Sequence, residues 1–451
     1  MKIVLVGCGK VGVTLVANLV KEGHDVTIID NNPAIIEEVT NVHDVMGVCG
    51  NGAEVGTLEE AGVENAELFI AVTGSDELNM LSCFMAKKKG AQHTIARVRN
   101  PEYEPNIAFM KQQLGISLII NPELLAAQEY FNILQLPSAM KIETFSRRNF
   151  EMIELLLKED SPLIGETLAD IRKKYKASFL VCVVQRDKEV FIPGGNFTLK
   201  LGDRVGVTAT STEIQKLLRM LGIMQKQAKH VMILGASRSA YYLTKSLLAA
   251  GTDVKLIEKN PQIASEMCEV LSDAVVIQGD GSDHEVLLEE GVRSMDAFVA
   301  LTGIDEENIL ISFFAQNQGV KKAIAKVNRN SLEEISKDFG IDCVISPKKL
   351  TADVVLRYVR ARQNSRGSKV ETLYKLMDEK AEALEFVVQA DFKHCQIPLK
   401  EMDLKPNTLI AGIIRGKKII IPSGEDMILP GDHVVVISTP QLMNDLSDII
   451  R

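Results

Sequence analysis

Residues 2–12 read Lys-Ile-Val-Leu-Val-Gly-Cys-Gly-Lys-Val-Gly, a short apolar run that enters the pattern G-x-G-x-x-G at Gly7, Gly9 and Gly12. A helix-length amphipathic segment follows, and a second apolar run, Asp25-Val-Thr-Ile-Ile-Asp30, completes a βαβ unit. In that context each glycine has a task. Gly7 permits the tight turn, Gly9 keeps a Cβ out of the path of a pyrophosphate, and Gly12 lets helix and strand pack closely. The N–H groups that open the helix then face the anion. Asp30 ends the second strand, at the separation from Gly12 that the fingerprint asks of its acid. A carboxylate there accepts hydrogen bonds from the adenosine ribose hydroxyls. Asn31 and Asn32 follow it in place of an arginine, so NAD(H) or an adenine mononucleotide is expected rather than NADP.

Further strands are expected near 44–48, 67–72, 93–98 and 117–120, with helices between them, which makes six strands of a doubly wound parallel sheet. Ligands of such sheets bind outside the carboxyl ends of the strands. Gly50-Asn51-Gly52 follows the third strand and Thr73-Gly74-Ser75 the fourth, so both loops are expected to line the crevice; the alternative is a turn and a helix cap. Arg97 and Arg99 close the fifth strand on one face as phosphate contacts, or else as members of an exposed or interface ion pair.

The 451 residues suggest about three domains on length alone, but the chain repeats itself. Lys2-Ile-Val-Leu-Val-Gly7 returns as His230-Val-Met-Ile-Leu-Gly235, and Asp30 returns as Glu258 in the same register. Ala71-Val-Thr73-Gly74 returns as Ala300-Leu-Thr302-Gly303, and Leu201-Gly202-Asp203 as Pro430-Gly431-Asp432, with the register moved by a single position. The fold class that follows is α/β. Two Rossmann-type domains, 1–138 and 229–358, are each followed by a small α+β domain, 139–224 and 368–451. Linkers are expected near 139–150, 225–229 and 360–369. The second crevice keeps Gly235, but Ser237 puts a Cβ where the pyrophosphate would come closest. Glu258, Asp280 and Thr302 still supply its ribose and loop positions, and Arg238 a phosphate charge; the alternative is a vestigial, structural second copy.

Composition narrows the function classes. At 46% hydrophobic and 25% charged the chain has ordinary globular usage, which excludes collagen-like, disordered and disulfide-scaffold classes. No apolar run approaches about 18 residues, and Met1 leads straight into a strand, so neither a membrane span nor a signal peptide is expected, and the chain belongs in the cytosol. A net charge of −9 repels the phosphate backbone, so no nucleic-acid partner is expected. The seven cysteines form no CxxC pair and the seven histidines show no metal spacing, so no metal site is expected. Cys8 and Cys49 border the crevice, where small buried cysteines are the ordinary reading against a redox switch. His284 reads as solvated at a helix start, and Lys87-Lys88-Lys89 as charges favoured at a helix C-terminus.

A dehydrogenase needs a domain that holds substrate beside the nicotinamide and supplies an acid or base. The same small β-rich module occupies that place twice, without a conspicuous His, Lys or Tyr constellation, so no catalytic residue is assigned and the chain reads as a device whose ligand shifts domain positions. The order of parts, the Gly7–Gly12 fingerprint, Asp30 in Ile-Ile-Asp-Asn-Asn-Pro and the segment Ala71-Val-Thr-Gly-Ser-Asp-Glu-Leu-Asn-Met80 resemble the TrkA family over essentially the full chain, duplication included. These are cytosolic regulatory subunits of bacterial and archaeal Trk-type potassium uptake systems. The resemblance implies RCK (KTN) N and C domains. It also implies a homotetramer whose eight N domains form a ring against a TrkH-like membrane potassium channel subunit, peripheral to the inner face of the membrane. The ligands it implies are NAD(H) and ATP or ADP, and its nucleotide contacts fall on Gly7 to Val11, Asp30, Thr73, Gly74 and Arg97. Lys10 departs from the Arg that related proteins often carry. An NAD-dependent oxidoreductase with an unrecognised substrate site is the alternative.

Overall fold

The computed structural model describes residues 1–136, 139–145, 150–175, 178–223, 227–341, 343–364, 370–377, 380–441, 443 and 445–451. Parts of all three expected linkers, 146–149, 225–226 and 365–369, lie outside the described residues. The chain forms two compact units, Met1–Phe131 with Lys229–Leu356, and Asn132–Ala228 with Arg357–Arg451. The two Rossmann copies thus share one unit and the two small domains the other.

The leading copy runs β1 (Lys2–Val6), α1 (Lys10–Lys21), β2 (Asp25–Asp30), α2 (Pro33–Val42), β3 (Met46–Cys49), α3 (Val55–Glu60), β4 (Leu68–Ala71), α4 (Asp76–Lys89), β5 (His93–Arg97), α5 (Ile107–Gln113), β6 (Leu118–Ile120) and α6 (Pro122–Gln135). Its parallel sheet has the order β3-β2-β1-β4-β5-β6. β1 is central, with Leu5 opposite Ile28 of β2 and Ile70 of β4, and all its residues but Lys2 are buried. A strand covered on both faces has to be apolar throughout, which is why Ile3 to Val6 do not alternate with polar residues. The helices pack their apolar stripes on it: Leu15, Val16 and Leu19 of α1 are buried, and Met80, Cys83 and Ala86 of α4 join a core with Val4, Val6, Phe69 and Ala71. Local signals set the ends. Asn32 and Ser75 cap α2 and α4 by accepting from the Ala34 and Leu78 N–H groups, and Lys87, Lys88 and Lys89 close α4 at its negative pole. β4 and β6 are each a residue or two shorter than expected, and two further boundaries bear on the site. β3 begins at Met46 because a tight turn, Val45 N–H to the His43 carbonyl at 2.9 Å, occupies the preceding residues, and β5 ends at Arg97, which leaves Arg99 outside the strand.

The first small domain comprises β7 (Lys141–Thr144), β8 (Phe150–Leu156), α7 (Leu168–Lys174), β9 (Phe179–Arg186), β10 (Glu189–Phe191), β11 (Arg204–Thr210) and α8 (Ser211–Met220), in an antiparallel sheet of order β10-β9-β11-β8-β7. The second Rossmann copy runs β12 (His230–Leu234), α9 (Arg238–Ala249), β13 (Asp253–Glu258), α10 (Pro261–Val270), β14 (Val275–Gln278), α11 (His284–Glu289), β15 (Ala297–Ala300), α12 (Asp305–Asn317), β16 (Lys322–Lys326), α13 (Asn330–Asp338), β17 (Cys343–Ile345) and α14 (Pro347–Asn364). Its sheet order, β14-β13-β12-β15-β16-β17, repeats the first. The last domain has β18 (Val370–Leu376), β19 (Ala381–Val387), β20 (Thr408–Arg415), β21 (Lys418–Ile420) and β22 (His433–Ser438), with short 3₁₀ turns at Leu399–Glu401 and Leu446–Ile449 where the first small domain has α7 and α8.

The recurring Gly-Asp pair now has a reason. Asp203 and Asp432, both buried, each receive two hydrogen bonds of 2.7–2.8 Å from one guanidinium, Arg186 and Arg415 respectively. The two small domains also share a core: Phe145, Phe150, Met152 and Cys182 pack with Tyr374, Leu376, Ala411 and Val435. In the Rossmann unit, Asn121 donates to the Tyr242 hydroxyl at 3.0 Å, which ties the first copy to the second.

Helix α1 lies against the glycine turn so closely that a Cβ on Gly12 would stand 2.0 Å from the Gly7 carbonyl oxygen. Gly12→Ala is therefore expected to lower the unfolding free energy by about 1–3 kcal/mol, read as a lower urea midpoint at unchanged slope.

Candidate nucleotide-binding site

Strand order brings four loops together. The ends of β3, β2, β1 and β4 lie side by side, and the loops that leave them surround a cleft of about 570 Å3. Of the expected residues, Gly7, Gly9, Lys10, Val11, Asp30, Asn31, Gly50, Asn51, Thr73, Gly74 and Arg97 line it. Cys8, Gly12 and Arg99 do not. The Cys8 side chain is buried, and burial, helped by the Asp30 charge, pushes its thiol up to about 12, far from a reactive thiolate at neutral pH. Gly12 packs on Gly7, and Arg99 turns to the Gly74 carbonyl at 2.7 Å and to Asp76 at 3.6 Å. Cys49 is the exposed last residue of β3, not a residue after it.

The floor of the cleft is backbone. Gly7 has φ +93°, and a Cβ there would stand 2.8 Å from the Thr73 nitrogen. Gly9 is the N-cap of α1, and no side chain caps the helix, so its first N–H groups face the cleft. Asp30 holds this arrangement from one side: one carboxylate oxygen accepts from the Cys8 N–H at 2.8 Å and the other from the Asn32 N–H at 3.0 Å. The sequence points Asp30 at a ribose; what the structure shows is Asp30 fixing the turn that a pyrophosphate would rest on.

Asn79 holds the other side, and the sequence reading missed it. Fully buried on α4, it accepts from the Thr73 N–H and hydroxyl, both at 2.7 Å, and donates to the carbonyls of Thr73 at 3.2 Å and Arg97 at 2.9 Å. Arg97 in turn donates to the Thr73 carbonyl through Nη2. Burial, then the neighbouring Arg99 charge, lowers the affinity of the Arg97 guanidinium for its proton, as a cation drawn partly out of solvent beside a second cation should show. The one signal in the sequence was repetition, since Asn79 recurs as Asn308.

The second crevice has the same frame with different closures. Gly235 has φ +88° and Glu258 accepts from the Ala236 and Asn260 N–H groups, both at 2.7 Å. Asn308 accepts from the Thr302 hydroxyl at 2.8 Å. Ser237, however, supplies its own helix cap by accepting from the Ala240 N–H at 3.4 Å, where Gly9 leaves the first copy uncapped. Lys259 binds Asp280 at 2.5 Å, and this bond with those of Ser282 holds the Asp280 carboxyl down at about 2. Arg238 opens α9, and its charge is felt by Arg97 of the first copy. Among the described residues no cluster of His, Cys, Asp or Glu has the geometry to hold a metal ion, and no helix is long and apolar enough to cross a membrane. His284 is exposed at the start of α11 and stacks on Phe314 with ring centroids 3.9 Å apart.

The TrkA-N domain family matches residues 3–122 and 231–347, and the TrkA-C domain family matches 152–222 and 383–451. The chain is 34% identical over 455 aligned residues to a Trk system potassium uptake protein TrkA homolog of Archaeoglobus fulgidus, covering all of both chains. It is 31% identical to the Trk system potassium uptake protein TrkA of Vibrio alginolyticus, over 97% of this chain and 95% of that one. Among solved structures, the GsuK channel bound to NAD superposes with a TM-score of 0.65 at 17% identity, over 97% of this chain and 76% of that one. The GsuK RCK domain gives the same score and identity, with 92% of its chain covered. These last two likenesses speak for the fold.

A Cβ on Gly9 would meet no atom within 4 Å, so Gly9→Ala is expected to leave the unfolding free energy within about 0.5 kcal/mol of the parent. The same methyl projects into the cleft. Calorimetric titration with a nucleotide whose phosphates rest on α1 should show affinity reduced about tenfold or more.

Proposed function

The chain belongs to the TrkA family of Trk-system potassium uptake proteins, and on that premise we propose that it is a nucleotide-responsive regulatory subunit that gates a TrkH-like membrane potassium channel from the inner face of the membrane. The observation that carries the reading is the first cleft, where uncapped helix N–H groups, a close glycine turn and the Asp30 carboxylate converge. That set suits a pyrophosphate flanked by an adenosine ribose. The charged residues lining the cleft are Lys10, Asp30 and Arg97, two cations and one carboxylate that suit a phosphate and a ribose. NAD(H) is the ligand we favour, with ATP or ADP as alternatives; GsuK, which shares the fold, has structures bound to NAD and to ADP.

The four domains take the limits 1–138, 139–224, 229–358 and 368–451 in this reading. Assembly into a homotetramer with a ring of eight N domains is supported by apolar side chains left in water on equivalent helices. Leu81 of α4 and its repeat counterpart Leu310 of α12 are both exposed, as are Phe109 of α5 and the paired Phe313 and Phe339 of α12 and the turn after α13. Ring contacts through such faces would convert nucleotide occupancy into a change of ring shape.

Because Ser237 caps its own helix and Lys259 neutralises Asp280, the second crevice has less unsatisfied polarity to offer an anion, and the first is proposed as the tighter site. Saturation with NADH at about 100 times its dissociation constant should stabilise the fold by about 2.7 kcal/mol. Asp30→Ala is expected to abolish that stabilisation while Glu258→Ala retains it, as read by thermal shift. The reverse pattern would move the site to the second copy, and steady NADH turnover with carbonyl compounds would favour the oxidoreductase alternative.

A further inference from the structure

The polarity of the Thr73 hydroxyl is fixed by the protein, and this bears on which nucleotide the cleft prefers. The orientation of the Asn79 amide is not free, because its partners include backbone groups of unambiguous type. The Thr73 N–H requires the oxygen Oδ1 on its side, and the carbonyls of Thr73 and Arg97 require the nitrogen Nδ2 on theirs. The Thr73 hydroxyl lies 2.7 Å from that same Oδ1, so its hydrogen points at Asn79; the competing position, the Ser75 carbonyl at 3.3 Å, is also within the protein. One lone pair faces the Ser75 N–H at 3.4 Å. Thr73 lines the cleft, and the one valence of its hydroxyl left unused within the protein is a lone pair, an acceptor with no hydrogen to give.

Position along the sheet says which part of a ligand meets that acceptor. Asp30 ends β2, the glycine turn follows β1, and Thr73 follows β4 on the opposite side of the turn, in backbone contact with Gly7. With an adenosine ribose at Asp30 and the pyrophosphate over Gly7 to Val11, Thr73 meets whatever lies beyond the pyrophosphate. In a dinucleotide that is a second sugar, whose hydroxyls are donors. In a nucleoside triphosphate it is a terminal phosphate, whose oxygens at neutral pH are mostly deprotonated and act as acceptors. Resting on the nucleotide site proposed above, we propose that Thr73, oriented by Asn79, selects a dinucleotide's second sugar over the terminal phosphate of a nucleoside triphosphate. The charges of Lys10 and Arg97 attract both ligands; the Thr73 contact separates them.

The test is calorimetric titration of the full chain with NAD and with ATP, in the parent, Thr73→Val and Thr73→Ser. Valine keeps the shape and removes the acceptor, and Asn79 retains the Thr73 N–H, so the ATP titration doubles as a control for an intact cleft. Thr73→Val is expected to weaken NAD about 5–10-fold, the loss of one hydrogen bond, and to change ATP less than about twofold. Thr73→Ser should return NAD to within about twofold of the parent. Equal weakening of both ligands, an unchanged NAD affinity in Thr73→Val, or a serine variant as weak as valine would overturn the inference. Absence of binding by the parent protein would overturn the nucleotide reading itself, a result distinct from these three.

Discussion

Two backbones meet without a side chain between them at Gly7 and Thr73, and the rest of the cleft depends on that approach. The position has φ +93°, and a Cβ would be driven to within 2.8 Å of the Thr73 nitrogen, so both conformation and space demand glycine. The contact sets the distance between the loops after β1 and β4. Asp30 then braces the turn through the Cys8 N–H, and Asn79 braces the Thr73 loop and the end of β5. A ligand in such a site meets groups that are already placed, so little of its binding energy goes to ordering them.

The duplication makes the chain its own comparison. Both copies keep the left-handed glycine, the acid that braces the turn and the buried asparagine that holds a threonine: Gly7, Asp30 and Asn79 in one, Gly235, Glu258 and Asn308 in the other. These are features a Rossmann copy needs to hold its loops, with or without a ligand. The differences fall where an anion would lie. Gly9 leaves its helix uncapped and Ser237 caps its own, and Asp280 has an internal cation in Lys259. The second copy thus resolves within the protein the polarity that the first leaves for a ligand, which is how an unequal pair of sites can arise from one frame.

Much of this was legible in the sequence because it is local. The six strands of the first sheet follow from apolar runs bounded by turn residues, and the cleft from the rule that loops at strand ends converge. Register along the repeat located the second copy. What was not legible depends on packing between distant segments. Asn79 sits among Met80, Cys83 and Ala86 on a helix and looks like any polar helical residue until that face is placed against the ends of β4 and β5. The bracing role of Asp30 and the pairing of Asp203 with Arg186 likewise need three-dimensional neighbours. Among the described residues of the last domain, short 3₁₀ turns stand where the first small domain has α7 and α8, a change that left little trace because the strand pattern around it persisted.

For occupancy of the first cleft to reach a potassium pathway, the nucleotide must favour one arrangement of the assembled subunits over another; equal affinity for both would shift nothing. The direct measurement is potassium flux through a TrkH-like partner reconstituted in vesicles with this chain bound, without nucleotide and with saturating NAD, NADH, ATP or ADP in turn. The account predicts that flux differs between the nucleotide-free and dinucleotide-bound states, and that Asp30→Ala removes the difference while the chain stays bound. Flux that is the same under every nucleotide, with the chain bound throughout, would contradict it.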